Sequence, residues 1–429
     1  MIDFVLFSAI VLFALYYVYI LKEPPKICDV YSAPGKWYSL KYYSFLAALS
    51  AKRLLLPAAT TRAAPRSADS PTAKETEEAR ALPERGLAAD EVAFGGAAKD
   101  GVHLAAAIVR RPGNVVQAYL LLRLPRLGVL ELPQAPETNL KAKTRDGFAA
   151  GGLTISCVEP TKTWRLKYSG QMQLNRYSAA AAGDTHEAAG FRQVDFDVLW
   201  MACTAPFDVA ADGSAESLAR AVALEQWSWP LVRSALRPSH EPLLPSSSRG
   251  GAQTRYEQFG WIAGTVEVQH HPLVALKLTA LRDRAYSPRY NWAHLHRSLT
   301  FTFHLEDGSS GTVSVRSAPE AGLSRLERGF FCDAAGRQSG VERVDAVLHE
   351  LAETAPPPVD VQFAFKAGGR AHYLRCVERH RVGLYVGLRR QLVLYRCLGS
   401  FVVDGINGWG CAEWTYRNTD RHRLPPSLT

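Results

Sequence analysis

Between Leu281 and Trp292 the chain reads LRDRAYSPRYNW, so three arginines, one carboxylate and three aromatic residues fall within twelve positions. The residues before it alternate as in a β-strand, and side chains along a strand point to opposite faces in turn. Arg282 and Arg284 therefore share one face and Asp283 takes the other. An aspartate in an apolar setting gains proton affinity from lost hydration, whereas an arginine beside it lowers that affinity again. If Asp283 faces a cavity alone, it can act as a general acid, with Glu413 as a second carboxylate. The competing reading is an Asp–Arg pair that ties a strand to a connection between domains. Glu413 sits between Trp409 and Trp414 on the last expected strand, either lining a pocket or pairing with an arginine at a sheet edge. The groups expected to touch a ligand are Arg282, Arg284, Tyr286, Arg289, Trp292, Trp409 and Trp414.

Other candidate groups read more plainly. His294 and His296 would share a face on an extended chain, a spacing that can hold a metal, but no third ligand accompanies them. Hydrogen-bonded histidines are the expected reading, and His270 and His271 beside Pro272 give no further metal set. No nucleophile elbow, phosphate loop or dinucleotide fingerprint occurs, so neither metal nor cofactor is expected. Gly95-Gly96 and Gly151-Gly152 read as turns.

The elements that must position these groups are mostly strands. Val115–Leu124, Thr163–Leu174, Val194–Ala202 and Leu299–Leu305 are short, partly alternating and rich in aromatic or branched residues. In the last, Leu299, Phe301, Phe303 and Leu305 point one way while Thr300, Thr302 and His304 point the other. Only Ser214–Ser234 has clear helical spacing. Many short strands and one helical connector predict an all-β architecture of two tandem barrels or sandwiches.

The 429 residues allow one large or two mid-sized cores, and 47% hydrophobic with 21% charged residues suits a globular body. The net charge of +9 is spread without basic runs, which argues against a nucleic-acid partner. Phe4–Leu21 has no charged residue and is about the length a bilayer requires. It lacks the basic start and cleavage site of a signal peptide, so a single-pass anchor in the lipid bilayer is expected. Lys22, Lys26, Lys36, Lys41, Lys52 and Arg53 follow it, which places the body in the cytosol by the positive-inside rule. Seven scattered cysteines fit reduced thiols in that compartment. The expected divisions are an anchor (1–21), a juxtamembrane amphipathic segment (22–56), a mobile linker (57–88) with one helical turn or two around Ala73–Ala81, and a first barrel with its helical connector (89–237). An inter-barrel linker (238–253), a second barrel (254–420) and a tail (421–429) complete them. Trp37–Leu56, mixing aromatics, leucines and lysines, reads either as a helix on the membrane surface or as one packed on the body.

Four stretches together carry a family resemblance. These are Glu159-Pro-Thr-Lys-Thr-Trp-Arg-Leu-Lys-Tyr-Ser-Gly170, Tyr256-Glu-Gln-Phe-Gly260, Arg282-Asp-Arg-Ala-Tyr-Ser-Pro-Arg289 and Gly408-Trp-Gly-Cys-Ala-Glu-Trp-Thr-Tyr416. Their order resembles that of the AttH/CrtC-like proteins, over most of Ala89–Asp420, and in particular a poorly characterised branch with a motif similar to Arg-Asp-His-Ser-Trp-Gly-x-Arg. The resemblance implies two tandem lipocalin-like barrels and a lipophilic ligand. In the carotenoid hydratase branch the corresponding motif looks like Asp-Arg-Glu-Trp, and an acidic residue protonates an alkene inside a greasy barrel. Asp283 and Arg284 match it, Ala285 replaces the glutamate and Tyr286 the tryptophan. Because the enzymatic motif is incomplete, the expected function is a membrane-anchored binding protein that holds an isoprenoid, sterol or acyl lipid in a barrel; the alternative is a cofactor-free acid catalyst of hydration, isomerisation or cyclisation acting through Asp283 or Glu413.

Overall fold

The computed structural model describes residue 11 and residues 23–55, 71–142, 147–175, 190–226 and 254–419. Alternating apolar residues build twenty strands. They are β1 (Ala89–Ala97), β2 (His103–Arg111), β3 (Val115–Leu124), β4 (Gly128–Glu131), β5 (Asn139–Lys141), β6 (Phe148–Ala150) and β7 (Leu153–Glu159). Next come β8 (Thr163–Leu174), β9 (Phe191–Ala202), β10 (Phe207–Asp208), β11 (Thr254–Val268), β12 (Val274–Ser287) and β13 (Arg297–Leu305). The last are β14 (Ser310–Ala318), β15 (Leu323–Cys332), β16 (Gln338–Val344), β17 (Asp360–Ala367), β18 (Arg370–Val386), β19 (Leu392–Val403) and β20 (Ile406–Arg417). Three helices accompany them among the described residues: α1 (Tyr38–Leu55), α2 (Pro71–Glu77) and α3 (Ala215–Leu224).

Strands β13 to β20 form a closed antiparallel barrel in sequence order. Its interior is filled by Phe301, Phe303, Phe365, Phe401 and Trp414, which pack edge to face or offset in the way aromatic rings prefer. The other sheet also returns on itself. Its ladder runs β11–β12–β1–β2–β3–β4–β8–β9, and β9 pairs back with β11. Phe94, Trp164 and Trp200 sit at its centre with Leu and Val side chains around them. Both interiors are therefore occupied by side chains, and the barrel-interior ligand suggested by the resemblance finds its volume taken.

The division of the chain differs from the expected one. Strands β11 and β12 hydrogen-bond to β9 and β1, so Thr254–Ser287 belongs to the N-terminal ring rather than to the second barrel. The sheets change between Ser287 and Arg297, whereas the expected linker, 238–253, lies outside the described residues. β11 carries Ile262, Val266 and Val268 into the ring core, and that burial decides its partner.

Several local expectations meet their outcome here. Gly95-Gly96 is no turn but part of β1, where small size serves close approach: a Cβ on Gly96 would meet Ile262, Leu278 and Ala280 at 3.1–3.3 Å. Gly151-Gly152 does turn the chain, with φ of 57° and 90°. The helix after Ser214 forms, capped by the Ser214 hydroxyl, which accepts from the Glu216 and Ser217 amides. Its expected continuation over 227–234 is outside the described residues. The helical turn expected near Ala73 in the linker is α2, and it is not free: its Ala73 and Glu77 are buried. The predicted span Phe4–Leu21 lies outside the described residues except for Val11, and among the described residues no helix is long and apolar enough to cross a membrane.

Candidate acid–base site between the barrels

Alternation along β12 separates the three charged residues of the central motif as the period requires. Arg282 and Arg284 point into one end of the N-terminal ring and are almost wholly buried. Arg282 donates to Glu77 Oε2 at 2.6 Å and to Gln258 Oε1 at 2.7 Å, with Trp164, Trp200 and Tyr256 packed around its guanidinium. Arg284 donates to Asp90, which also accepts from Arg110 at 2.9 Å. Both plug the ring end, and neither lines the cavity between ring and barrel. Tyr286 stacks under Arg80 at 4.4 Å, and Arg289 is exposed on the loop that follows.

Asp283 points the opposite way, into a cavity of about 250 Å³ between the ring and the barrel. Glu413 lines the same cavity from the barrel side. Pairing brings further charge to it. Glu257 on β11 lies directly opposite Asp283, and Glu91 on β1 lies two residues from Asp283's other partner, Ala93. Four carboxylates thus face one space, and two of them on directly paired strand positions are about 5 Å apart at Cβ. Two carboxylates in one dry space repel when both are charged, which favours a proton on one of them. Arg255 offsets part of this, donating to Asp283 Oδ2 at 2.7 Å and lying 3.3 Å from Glu257. Burial outweighs the arginine: Glu91 and Glu257 are each pushed up to about 7, first by lost hydration, with the Asp283 charge adding to both. Asp283 is raised for the same first reason, against Arg255 and with Glu413 adding to the rise. Asp283 Oδ1 is buried with no hydrogen-bond partner among the described residues.

The barrel side has a different character. Arg396 Nη1 lies 2.8 Å from Glu413 Oε1 and donates to the Tyr119 hydroxyl at 2.8 Å. Gly95 leaves room for that guanidinium, since a Cβ there would come within 3.0 Å of it. Glu413 thus lines the cavity and pairs with an arginine, but at no sheet edge, since β20 is paired on both sides in the closed barrel. Ala93, Ala105, Leu281, Leu394 and Leu398 supply apolar wall, and Trp292 closes one side with its Nε1 3.4 Å from Gln117 Oε1. His304 also faces the space, held neutral by burial that lowers it to about 3.

The remaining candidates lie elsewhere. Trp409 Nε1 donates to Ala97 O at 3.0 Å and Thr279 Oγ1 at 2.9 Å, a strut from barrel to ring. Trp414 belongs to the barrel core. His294 sits in a single 3-10 turn, and His296 faces Glu353 at 2.7 Å. Glu91, Glu257, Arg255, Arg396 and Tyr119 were not singled out from the sequence. Of these, Glu257 lies inside the Tyr256–Gly260 stretch and Arg255 directly before it.

Comparison with known proteins adds a family and a set of distant folds. The sequence pattern of DUF8627, a family of unknown function, matches residues 5–416. No curated protein matches the chain. Among solved structures it is similar to a putative AttH protein from Nitrosomonas europaea (13% identity, TM-score 0.43), over 79% of this chain and 99% of that one. It is also similar to kievitone hydratase from Nectria haematococca (12% identity, TM-score 0.47, 80% of this chain and 94% of that one) and to CghA (10%, 0.43, 78% and 90%).

Proposed function

The chain belongs to DUF8627, a family of unknown function, and from its own geometry we propose that it performs acid–base chemistry on a small, largely apolar molecule held between its two β-structures. One observation carries the reading: Asp283 Oδ1 is buried, unpartnered and aimed into a cavity that three further carboxylates share. A carboxyl whose hold on its proton is strengthened by burial is what a proton donor to an alkene or enol requires. Glu413, held by Arg396 on the facing wall, is placed to take a proton from the other side of the same molecule. The apolar wall suits an isoprenoid, sterol or acyl compound with one double bond or carbonyl near Asp283. An anchor at Phe4–Leu21 would keep the cavity beside a bilayer in which such compounds dissolve.

A carrier without chemistry is favoured by one contact, the 2.7 Å pairing of Asp283 with Arg255, which stabilises the carboxylate over the acid. One experiment separates the two. Full-length protein extracted in mild detergent is incubated in heavy water, and the compounds it retains are identified by mass spectrometry. The acid–base reading expects deuterium in the retained compound with the native protein and none with Asp283→Asn, which still retains it. Equal labelling in both proteins, or retention unaffected by filling the cavity with Ala93→Trp, overturns the reading.

A further inference from the structure

Helix α1 is apolar on two sides, and the fold covers only one of them. Its inner face, with Phe45 and Leu49, packs on Ala219 and Val222 of α3 and on Leu323 and Leu326 of β15. Its outer side carries Leu40, Tyr43 and Leu54, respectively 57%, 67% and 87% exposed, with Trp37 just before the first turn. A helix apolar all round is stable only when a second apolar medium covers the remaining face.

We propose that this outer face lies on the surface of an anionic lipid bilayer, and that α1 thereby seats the whole body on it. Three features select a bilayer as the occupant. The sequence from residue 30 to residue 68 contains no Asp or Glu but six basic residues, Lys36, Lys41, Lys52, Arg53, Arg62 and Arg66. Lys41 is buried against Glu23 and Arg53 donates to Gly213 O, so the attraction to lipid phosphates rests on Lys36, Arg62 and Arg66. Trp37 and Tyr43 are the amphipathic rings that settle at the level of lipid headgroups. The charge-free stretch Phe4–Leu21 ends two residues before the described chain begins at residue 23. The seat also bears on the cavity. Leu326, under the helix pair, and Arg328, on the cavity wall, project from the same face of β15 about 7 Å apart. This inference concerns how the body is presented and does not depend on the acid–base reading.

The test uses the full-length chain in nanodiscs of phosphatidylserine-containing lipid with brominated acyl chains, which quench tryptophan by contact. Quenching in the native protein should exceed that in Trp37→Phe, and the Trp37 share should vanish in a Leu40→Glu/Tyr43→Glu variant. Those two side chains are exposed, so the variant should keep its unfolding temperature. In phosphatidylcholine alone the Trp37 share should fall several-fold. Equal quenching with and without Trp37 would overturn the proposal, as would a Tyr43→Cys variant that forms disulfide-linked dimers in these discs, since the face would then belong to a second copy. An undiminished share in phosphatidylcholine would overturn the anionic preference.

Discussion

Asp283 differs from its neighbours Arg282 and Arg284 in the medium it faces, and that difference sets its chemistry. The arginines are neutralised inside the ring by Glu77 and Asp90, while Asp283 shares its space with Glu91, Glu257 and Glu413. A carboxyl whose affinity for protons is higher folded than unfolded stabilises the protein at low pH. That contribution is lost as pH rises through the folded value. For Glu91 and Glu257 the window runs from 4.5 to about 7. Stability should therefore decline across that window by about 2–3 kcal/mol for each of the two groups, and the decline should be shallower by one such share in Glu257→Gln. Urea titrations at pH 5 and pH 7.5 read this; an equally steep decline in the variant would show that Glu257 does not hold the proton. Infrared spectra near pH 6 should also contain a protonated carboxyl band that Glu257→Gln diminishes. The opposite facing of Asp283 and its arginine neighbours was legible in the sequence, because period two is a local property. The company Asp283 keeps was not: Glu91 and Glu257 come near it only through β1–β12 and β11–β12 pairing, which no local pattern encodes.

At the scale of elements, α2 shows how a short segment is fixed by one buried charge. Glu77 on this helix accepts from Arg282 and from the Thr161 amide, and both members of the ion pair are fully buried. Removing one member of such a pair strands the other charge, whereas replacing both with apolar groups leaves none to strand. Glu77→Ala should cost roughly 3–5 kcal/mol, and Glu77→Met with Arg282→Met should recover most of it. Urea midpoints compare the three proteins, and a double variant no better than the single would sink this account. The composition of residues 57–88 pointed to a linker because it lacks large apolar side chains. What pins residue 77 is a polar partner 205 positions away, invisible to composition. Gly95 and Gly96 misled in the same manner: two glycines signal a turn locally, but here they admit Arg396 on one face of β1 and three ring-core side chains on the other.

The whole molecule is two packed β-structures with its candidate site in neither interior. Expectation of strands and of two β-structures came readily from alternation in Val115–Leu124, Thr163–Leu174 and Leu299–Leu305. Where a ligand would sit did not, because that depends on which outward faces meet. Struts across the junction should matter more to the site than to global stability. Trp409→Phe removes the donor to Ala97 and Thr279 and should cost about 1 kcal/mol in unfolding. Retention of the bound compound should drop further than that loss alone explains, because the two walls are no longer held in place; retention unchanged in the variant would refute the strut.

The membership of β11 and β12 in the N-terminal ring also has a temporal side. When β9 has left the ribosome, its edge and that of β1 still lack their partners, and β12 ends only after another 85 residues, Cys203 to Ser287, have been made. At the usual pace of synthesis that is a wait of roughly 4–17 s with two strand edges open. The nascent chain is most vulnerable to wrong pairing in that interval.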